Sequence, residues 1–235
     1  LEDGEIVYLG SMAREVPGYD LRGVFVGSEG TFGIATKIMV SLLPLPESVK
    51  TFLGIFPDID SACTAVSAVI GHGILPAALE MIDALSIKAV QSVIDAGYPD
   101  DAGAVLLIEL EGLRGEVAEV SQQVEGALWD TGATEVRVAE EAEEREKLWV
   151  GRKGAFGAFG TIAPNYHLVD GVVPRTRLSQ VLRKVAEVSE KYGIIIANVF
   201  HAGDGNLHPC MLFDEREPGV LDKAMAGAAE LMEYC

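Results

Sequence analysis

The sequence predicts an α+β fold, an antiparallel sheet with helices on one face. Three observations carry this reading. From Lys50 onward, short runs of β-branched and aliphatic residues alternate with helical stretches, two of them strongly amphipathic. The pair 204-DG-205 between apolar runs is a tight-hairpin signal, which joins antiparallel neighbours. The segment 44-PLPE-47 breaks regular structure and marks a boundary, so residues 1–46 and 47–235 are expected to be separate domains. Pattern alone leaves a parallel βαβ sheet open.

Before the boundary, 5-EIVYLG-10, 23-GVFVG-27 and 34-IATKIMVSLL-43 read as strands, and 28-SEGTFG-33 as a glycine-rich loop. After it, 50-KTFLGIF-56 is a strand, and Ser61 caps a helix that ends at 71-GHG-73. Then 77-AALEMID-83 reads as a strand leading to a helix over 85–94. The run 104-AVLLIELEG-112 is a strand before a helix over 114–130. A strand over 133–139 precedes a charged helix over 140–159, whose acidic run 140-EEAEEREK-147 reads as solvated first turns. A helix over 176–192 leads into the hairpin 198-NVFHAGDGNLHPC-210.

The formal net charge of -18, from 36 acidic and 18 basic residues, repels phosphate backbones and argues against nucleic acid as a partner. Three dispersed cysteines without a CxxC pair fit neither a disulfide framework nor a cysteine zinc site, which points to a reducing cytoplasm. The longest apolar runs have strand length, too short for a membrane span. The chain opens at Leu1 without methionine and stops at Cys235 inside a helical pattern, so the expectation is a fragment of a longer protein.

Four places are candidates for chemistry. With Asp204 and Gly205 as the centre of a type I′ turn, His201 falls directly opposite His208, at a separation where two imidazoles share a divalent metal. A pair of solvent-edge histidines beside a good turn fits the same spacing. In 27-GSEGTFG-33 the glycines let backbone N–H groups approach an anion such as a pyrophosphate, although GxGxxG and GK[ST] are absent and a plain turn fits as well. Arg152 in 149-WVGRKGAFGAF-159 has the planar fork that clamps a carboxylate, or is a surface cation near a helix end. Arg175 and Arg177 read as solvated, and Glu80 with Asp83 as carboxylates on a strand edge.

In combination these stretches are more specific. The segments 22-RGVFVGSEGTFGIATKIMVSLLP-44, 163-APNYHLVDGVVPR-175 and 199-VFHAGDGNLHP-209, in this order, resemble the FAD-linked oxidases of the vanillyl-alcohol oxidase type. The likeness is strongest to the branch of bacterial glycolate oxidase D-subunits and D-lactate dehydrogenases. It implies the end of an FAD-binding domain of PCMH type over 1–46, followed by a ferredoxin-like substrate or cap domain over 47–235.

The resemblance also implies roles. Gly27, Ser28, Glu29, Gly30, Thr31, Phe32, Gly33 and Ile34 would lie along FAD. His201 and His208 would hold a divalent metal (Zn, Mn or Fe) beside the flavin, Asn206 would contact substrate, and Arg152 would clamp its carboxylate. Phe156 and Leu168 stand where the 2-hydroxyglutarate branch has Thr and Lys, which favours a small monocarboxylic 2-hydroxy acid such as glycolate or D-lactate. The main pyrophosphate loop is expected before Leu1, and a Glu-His segment with the third metal ligand and the proton acceptor beyond Cys235, so the fragment alone would be inactive. Electrons would pass to an iron–sulfur subunit or a quinone, with paralogous flavin-domain subunits in one complex and peripheral placement at the inner membrane. A metal-dependent hydrolase or metal-binding module using His201 and His208, and a non-catalytic subunit, are the alternatives.

Overall fold

The structure is a computed structural model that describes residues 4–11, 18–139 and 141–235. The chain divides into two compact units, Leu1–Leu45 and Pro46–Cys235.

In the first unit the only helix among the described residues is α1 (Leu21–Phe25), and none of them forms a strand. The strands expected over 5–10, 23–27 and 34–43 are therefore corrected. At the middle one a local cap decides: the Asp20 carboxylate accepts the Gly23 N–H at 3.0 Å and closes a short helix. At 34–43 the β-branched residues are present, but nothing among the described residues pairs with them, and Ile34, Ile38, Met39, Val40, Leu42 and Leu43 are exposed. Strand propensity reflects a pleated, half-buried surface, and a lone strand leaves its N–H and C=O groups unmet.

The second unit is built on one seven-stranded sheet: β1 (Ser48–Phe56), β2 (Ala78–Asp83), β3 (Ala104–Gly112), β4 (Glu135–Ala139), β5 (Asn165–Leu168), β7 (Ile195–Phe200) and β9 (Pro209–Phe213). Its order is β4-β1-β3-β2-β7-β9-β5. Every paired neighbour is antiparallel, which excludes the parallel sheet. The block β4-β1-β3-β2, with its crossover helices, has ferredoxin-like topology, and the later strands extend it past β2. A small ribbon pairs β6 (Gly171–Val172) with β8 (Asn206–Leu207).

Helices cover both faces, not one. On one face α2 (Ile59–Gly71), α4 (Arg114–Asp130) and α6 (Leu178–Tyr192) pack on Phe52, Phe56, Leu79, Met81, Leu106 and Ile108. Helix α7 (Val220–Tyr234) continues that face over Ile196 and Met211. On the other, α3 (Ala84–Gln91) and α5 (Ala142–Ala158) pack on Leu53, Ile55, Ile82, Val105, Leu107 and Val199. The reason lies in β1 and β3, whose apolar residues run consecutively and are buried on both sides. Helix α2 is capped by Asp58, whose carboxylate accepts the Ser61 N–H at 2.8 Å, rather than by Ser61 itself. No helix among the described residues is long and apolar enough to cross a membrane.

Candidate functional site

The hairpin between β7 and β9 has a different register from the two-residue turn. Strand pairing joins Asn198 to Pro209, and the ladder ends with His201 bridged to Asn206. The turn is therefore the four residues 202–205, closed by Asp204 N–H and Asn206 N–H donating to the His201 carbonyl at 3.1 and 3.2 Å. Gly205 is its only residue with positive φ, at 72°. Direct opposition of His201 and His208 is thus incorrect. The shift equals two residues, however, and a two-residue shift preserves the sheet face. His201, Asn206 and His208 occupy one face, and the two imidazole centroids lie 5.2 Å apart with their planes at 84°.

The turn is held from outside. Gly203 N–H donates to the Leu79 carbonyl at 2.9 Å, Val173 N–H donates to the Gly205 carbonyl at 2.9 Å, and Arg175 Nε donates to the Gly203 carbonyl. Arg175 is therefore not a freely solvated cation. Gly205 touches its neighbour so closely that a Cβ would lie 2.1 Å from the Val173 oxygen.

Behind the histidines lies a buried ionic chain. Glu80 is on the central strand β2 and only 5% exposed, not on a strand edge as its polarity implied. Its Oε1 is 2.7 Å from His201 Nδ1, while its Oε2 accepts Arg152 Nε at 2.9 Å and Nη2 at 2.8 Å. Arg152, on α5, is 7% exposed and so is no surface cation. Close approach of α5 makes this possible: a Cβ on Gly151 would meet that of Ala96 at 2.4 Å. Removing one member of such a buried pair costs about 3–5 kcal/mol, because the other charge is left uncompensated. Asp83 faces away from Glu80, so the two do not form a carboxylate pair; it caps α3 and binds Asn198.

His208 is mostly buried, and burial holds its imidazole below the usual value; the Asp170 carboxylate, 3.6 Å away, pulls in the opposite direction. Its Nδ1 and the Asn206 Oδ1 are buried without a hydrogen-bond partner. Unmet buried polar atoms cost about 1–3 kcal/mol each unless a ligand or water satisfies them, so these two are open to a bound group. Two imidazoles, one with its Nδ1 held by a carboxylate, fit two positions of a divalent metal. No third His, Cys, Asp or Glu among the described residues completes a metal-holding group.

The glycine loop lies in the first unit. Gly27, Glu29, Gly30 and Gly33 have positive φ (82°, 48°, 80° and 154°), and Thr31 N–H and Oγ1 donate to the Ser28 carbonyl at 2.9 and 2.6 Å. Glu29 and Gly30 are left-handed in succession, and such turn conformations can aim backbone N–H groups at an anion. Phe32 and Ile34 are exposed.

Of the residues singled out from sequence, His201, Asn206 and His208 share one hairpin face and Arg152 contacts Glu80, whose link to both His201 and Arg152 the sequence reading did not anticipate. A signal existed: an acid inside 78-ALEMID-83, whose neighbours are apolar on both sides, has no solvent face and needs a buried partner.

Residues 45–235 match the family described as FAD linked oxidases, C-terminal domain. The chain is 46% identical over 233 residues to the glycolate oxidase subunit GlcD of Escherichia coli (strain K12), covering 99% of this chain and 47% of that protein. It is 36% identical to GlcD of Bacillus subtilis (strain 168), covering 99% and 50%. It is 29% identical to the mitochondrial D-lactate dehydrogenase [cytochrome] of Arabidopsis thaliana, covering 91% and 38%. The chain thus spans about half or less of the length of these relatives. Among solved structures, p-cresol methylhydroxylase with substrate bound superposes with a TM-score of 0.71 at 20% identity, over 92% of this chain and 48% of that one. The 4-ethylphenol oxidase from Gulosibacter chungangensis, in its isoeugenol complex, gives 0.67 at 16%, over 97% and 50%. At these identities the two structures speak for the fold alone. With a match over residues 45–235, which takes in the sheet and its histidine hairpin, the chain belongs to the FAD-linked oxidases.

Proposed function

We propose that this chain is part of an FAD-dependent dehydrogenase of small 2-hydroxy acids, glycolate or D-lactate, with residues 1–46 ending the FAD-binding domain and 47–235 forming the substrate domain. The observation that carries this is the family match over 45–235, which takes in the His201–His208 hairpin and the ionic chain behind it. The relatives' names, glycolate oxidase subunit and D-lactate dehydrogenase, support the substrate class. Phe156, whose ring centroid lies 6.4 Å from that of Tyr166, stands where the 2-hydroxyglutarate branch has Thr, which supports a monocarboxylic substrate.

FAD, when bound, would supply the hydride acceptor, and His201 and His208 would hold a divalent metal able to lower the pKa of the substrate hydroxyl. The chain's own residues supply position. His201 keeps its Nδ1 on Glu80 and presents its other nitrogen, burial holds the His208 imidazole below its usual value, and Asn206 offers an acceptor. The loop Gly27–Ile34 would hold FAD through backbone N–H groups. Electrons leave to an iron–sulfur subunit, a quinone or another carrier, and paralogous flavin-domain subunits share the complex, a reading supported by the name of the Escherichia coli relative, a glycolate oxidase subunit. The whole protein acts in the cytoplasm, at the membrane surface through such partners. The family gives no support to a metal-dependent hydrolase.

The test is anaerobic flavin reduction in the whole protein. Glycolate or D-lactate is expected to bleach the flavin absorbance, and His208→Ala to lose bound metal and slow bleaching at least about 100-fold. No bleaching with any 2-hydroxy acid would remove the proposal.

A further inference from the structure

We propose that Glu109 is a positioning residue for Arg152, acting through the Trp149 indole one turn earlier on α5. This deepens the function proposed above: it rests on the reading in which Arg152 meets the substrate carboxylate, and it names what holds the arginine in place.

Two acids on one sheet face each hold a side chain of α5. Leu107 pairs with Glu80 across β3 and β2, and Glu109 pairs with Ala78, so Glu109 and Glu80 are diagonal neighbours on the face that α5 covers. Trp149 and Arg152, three residues apart, are neighbours on the helix. The Glu109 Oε2 accepts the Trp149 Nε1–H at 2.8 Å and the Thr51 Oγ1–H at 3.0 Å. Thr51 is fully buried and stands opposite Glu109 in register, which keeps the carboxylate tied to β1 while it reaches the helix.

Arg152 needs such a hold. Glu80 takes its Nε and Nη2 and leaves the edge between the two Nη groups with no acidic partner among the described residues. That edge suits a second carboxylate, and its direction depends on where α5 stands. A Cβ at Gly151 would lie 2.4 Å from that of Ala96, and one at Gly154 would lie 2.2 Å from Ile94 Cδ1, so close apolar contact sets the depth of the helix. Apolar contact has no direction, so rotation and sliding of α5 are left to hydrogen bonds. The Tyr98 hydroxyl donates to the Leu148 carbonyl at 2.5 Å from one side, and Glu109 takes the next residue, Trp149, from the sheet.

The experiment uses the whole protein carrying ¹⁵N-labelled arginine, with the Arg152 Nε–H signal identified by its loss in Arg152→Lys. That signal is expected to move in Glu109→Leu and in Trp149→Phe, and to return in Glu109→Gln, which keeps an acceptor for the indole. The Michaelis constant for glycolate or D-lactate should rise about 10-fold in Glu109→Leu and Trp149→Phe, with kcat within about threefold, because carboxylate binding is lost equally from ground and transition states. Preference for the acid over its neutral amide should fall by the same factor, and Glu109→Gln should restore it. In an Arg152→Lys background Glu109→Leu should add no further loss, since the two act as one unit. Trp149→Phe keeps the ring and removes only the N–H, and it carries the test if Glu109→Leu fails to fold.

The proposal is overturned if the Arg152 signal stays in place in Trp149→Phe and in folded Glu109→Leu. Equal losses for acid and amide overturn it as well, since Glu109 then serves the fold alone, and so do additive losses in the Arg152→Lys background. If the unaltered protein reduces no flavin with any 2-hydroxy acid, the functional proposal falls, and the Arg152 signal still decides whether Glu109 positions the arginine.

Discussion

One carboxylate oxygen of Asp83 accepts two hydrogen bonds from Asn198, from its backbone N–H and from its side-chain amide, each at 2.8 Å. The other oxygen caps α3 through the Ser86 N–H, also at 2.8 Å. A single buried side chain therefore ties β2, α3 and β7 together. Asp83→Ala removes a helix cap and strands two buried donors, and should cost about 2–4 kcal/mol in urea unfolding. A loss below about 1 kcal/mol would contradict this.

Gly205 and Gly193 separate two effects at one kind of position. Both have positive φ, 72° and 63°, but a Cβ at Gly193 meets nothing within 4 Å, whereas at Gly205 it would lie 2.1 Å from the Val173 oxygen. Gly193→Ala should cost about 1–2 kcal/mol from backbone strain alone. Gly205→Ala should cost more and should also slow substrate-dependent flavin reduction, because the hairpin must shift. Equal melting temperatures for the two variants would refute the close contact.

Glu230 joins α7 to α6 by accepting from Lys184 at 2.8 Å, Lys191 at 2.6 Å and Tyr192 at 2.9 Å. These hydrogen bonds, first those from the two lysines, hold its pKa at about 2, below the ordinary 4.5. A depressed carboxylate contributes its stability above the unfolded value and loses it as pH falls through the folded one. The gap in melting temperature between the unaltered protein and Glu230→Gln should therefore be flat near neutrality and close between about pH 4.5 and 2. A gap that persists unchanged at the acid end would show that the interaction is not ionic.

Cys63 and Cys210 are buried, and burial pushes each thiol up to about 12. Thiolate is the reactive form, so neither should be alkylated by iodoacetamide at about pH 8 until the protein unfolds. Mass mapping of the labelled peptides with and without urea checks this, and rapid native labelling of either cysteine would be incompatible with the packing.

Much of the sheet domain was legible because its strands are short apolar runs between turn residues. The stretch 104-AVLLIELEG-112 is nearly continuous in apolar residues, and that continuity, read further, foretells burial on both faces. The register of 198–210 was not legible, since Asp204-Gly205 suits a two-residue turn and also the end of a four-residue one. The histidine face survived because both registers share parity. The partners of Glu80 lie 72 and 121 residues away, beyond any local pattern. In 34–43 the apolar alternation is real, but a strand is defined by its neighbour, and the propensity of one segment cannot supply that neighbour.

The ionic chain behind His201 also has an order in time. Ribosomal synthesis adds about 5–20 residues per second, so Glu80 waits roughly 6–24 s for His201 to be made, 121 residues later. Arg152 emerges between them, 72 residues after Glu80. The ferredoxin-like half of the sheet thus receives a counter-ion for its buried acid before the hairpin exists. The last strands dock onto an edge whose charge is already balanced, and the bond that orients the histidine is among the last the domain makes.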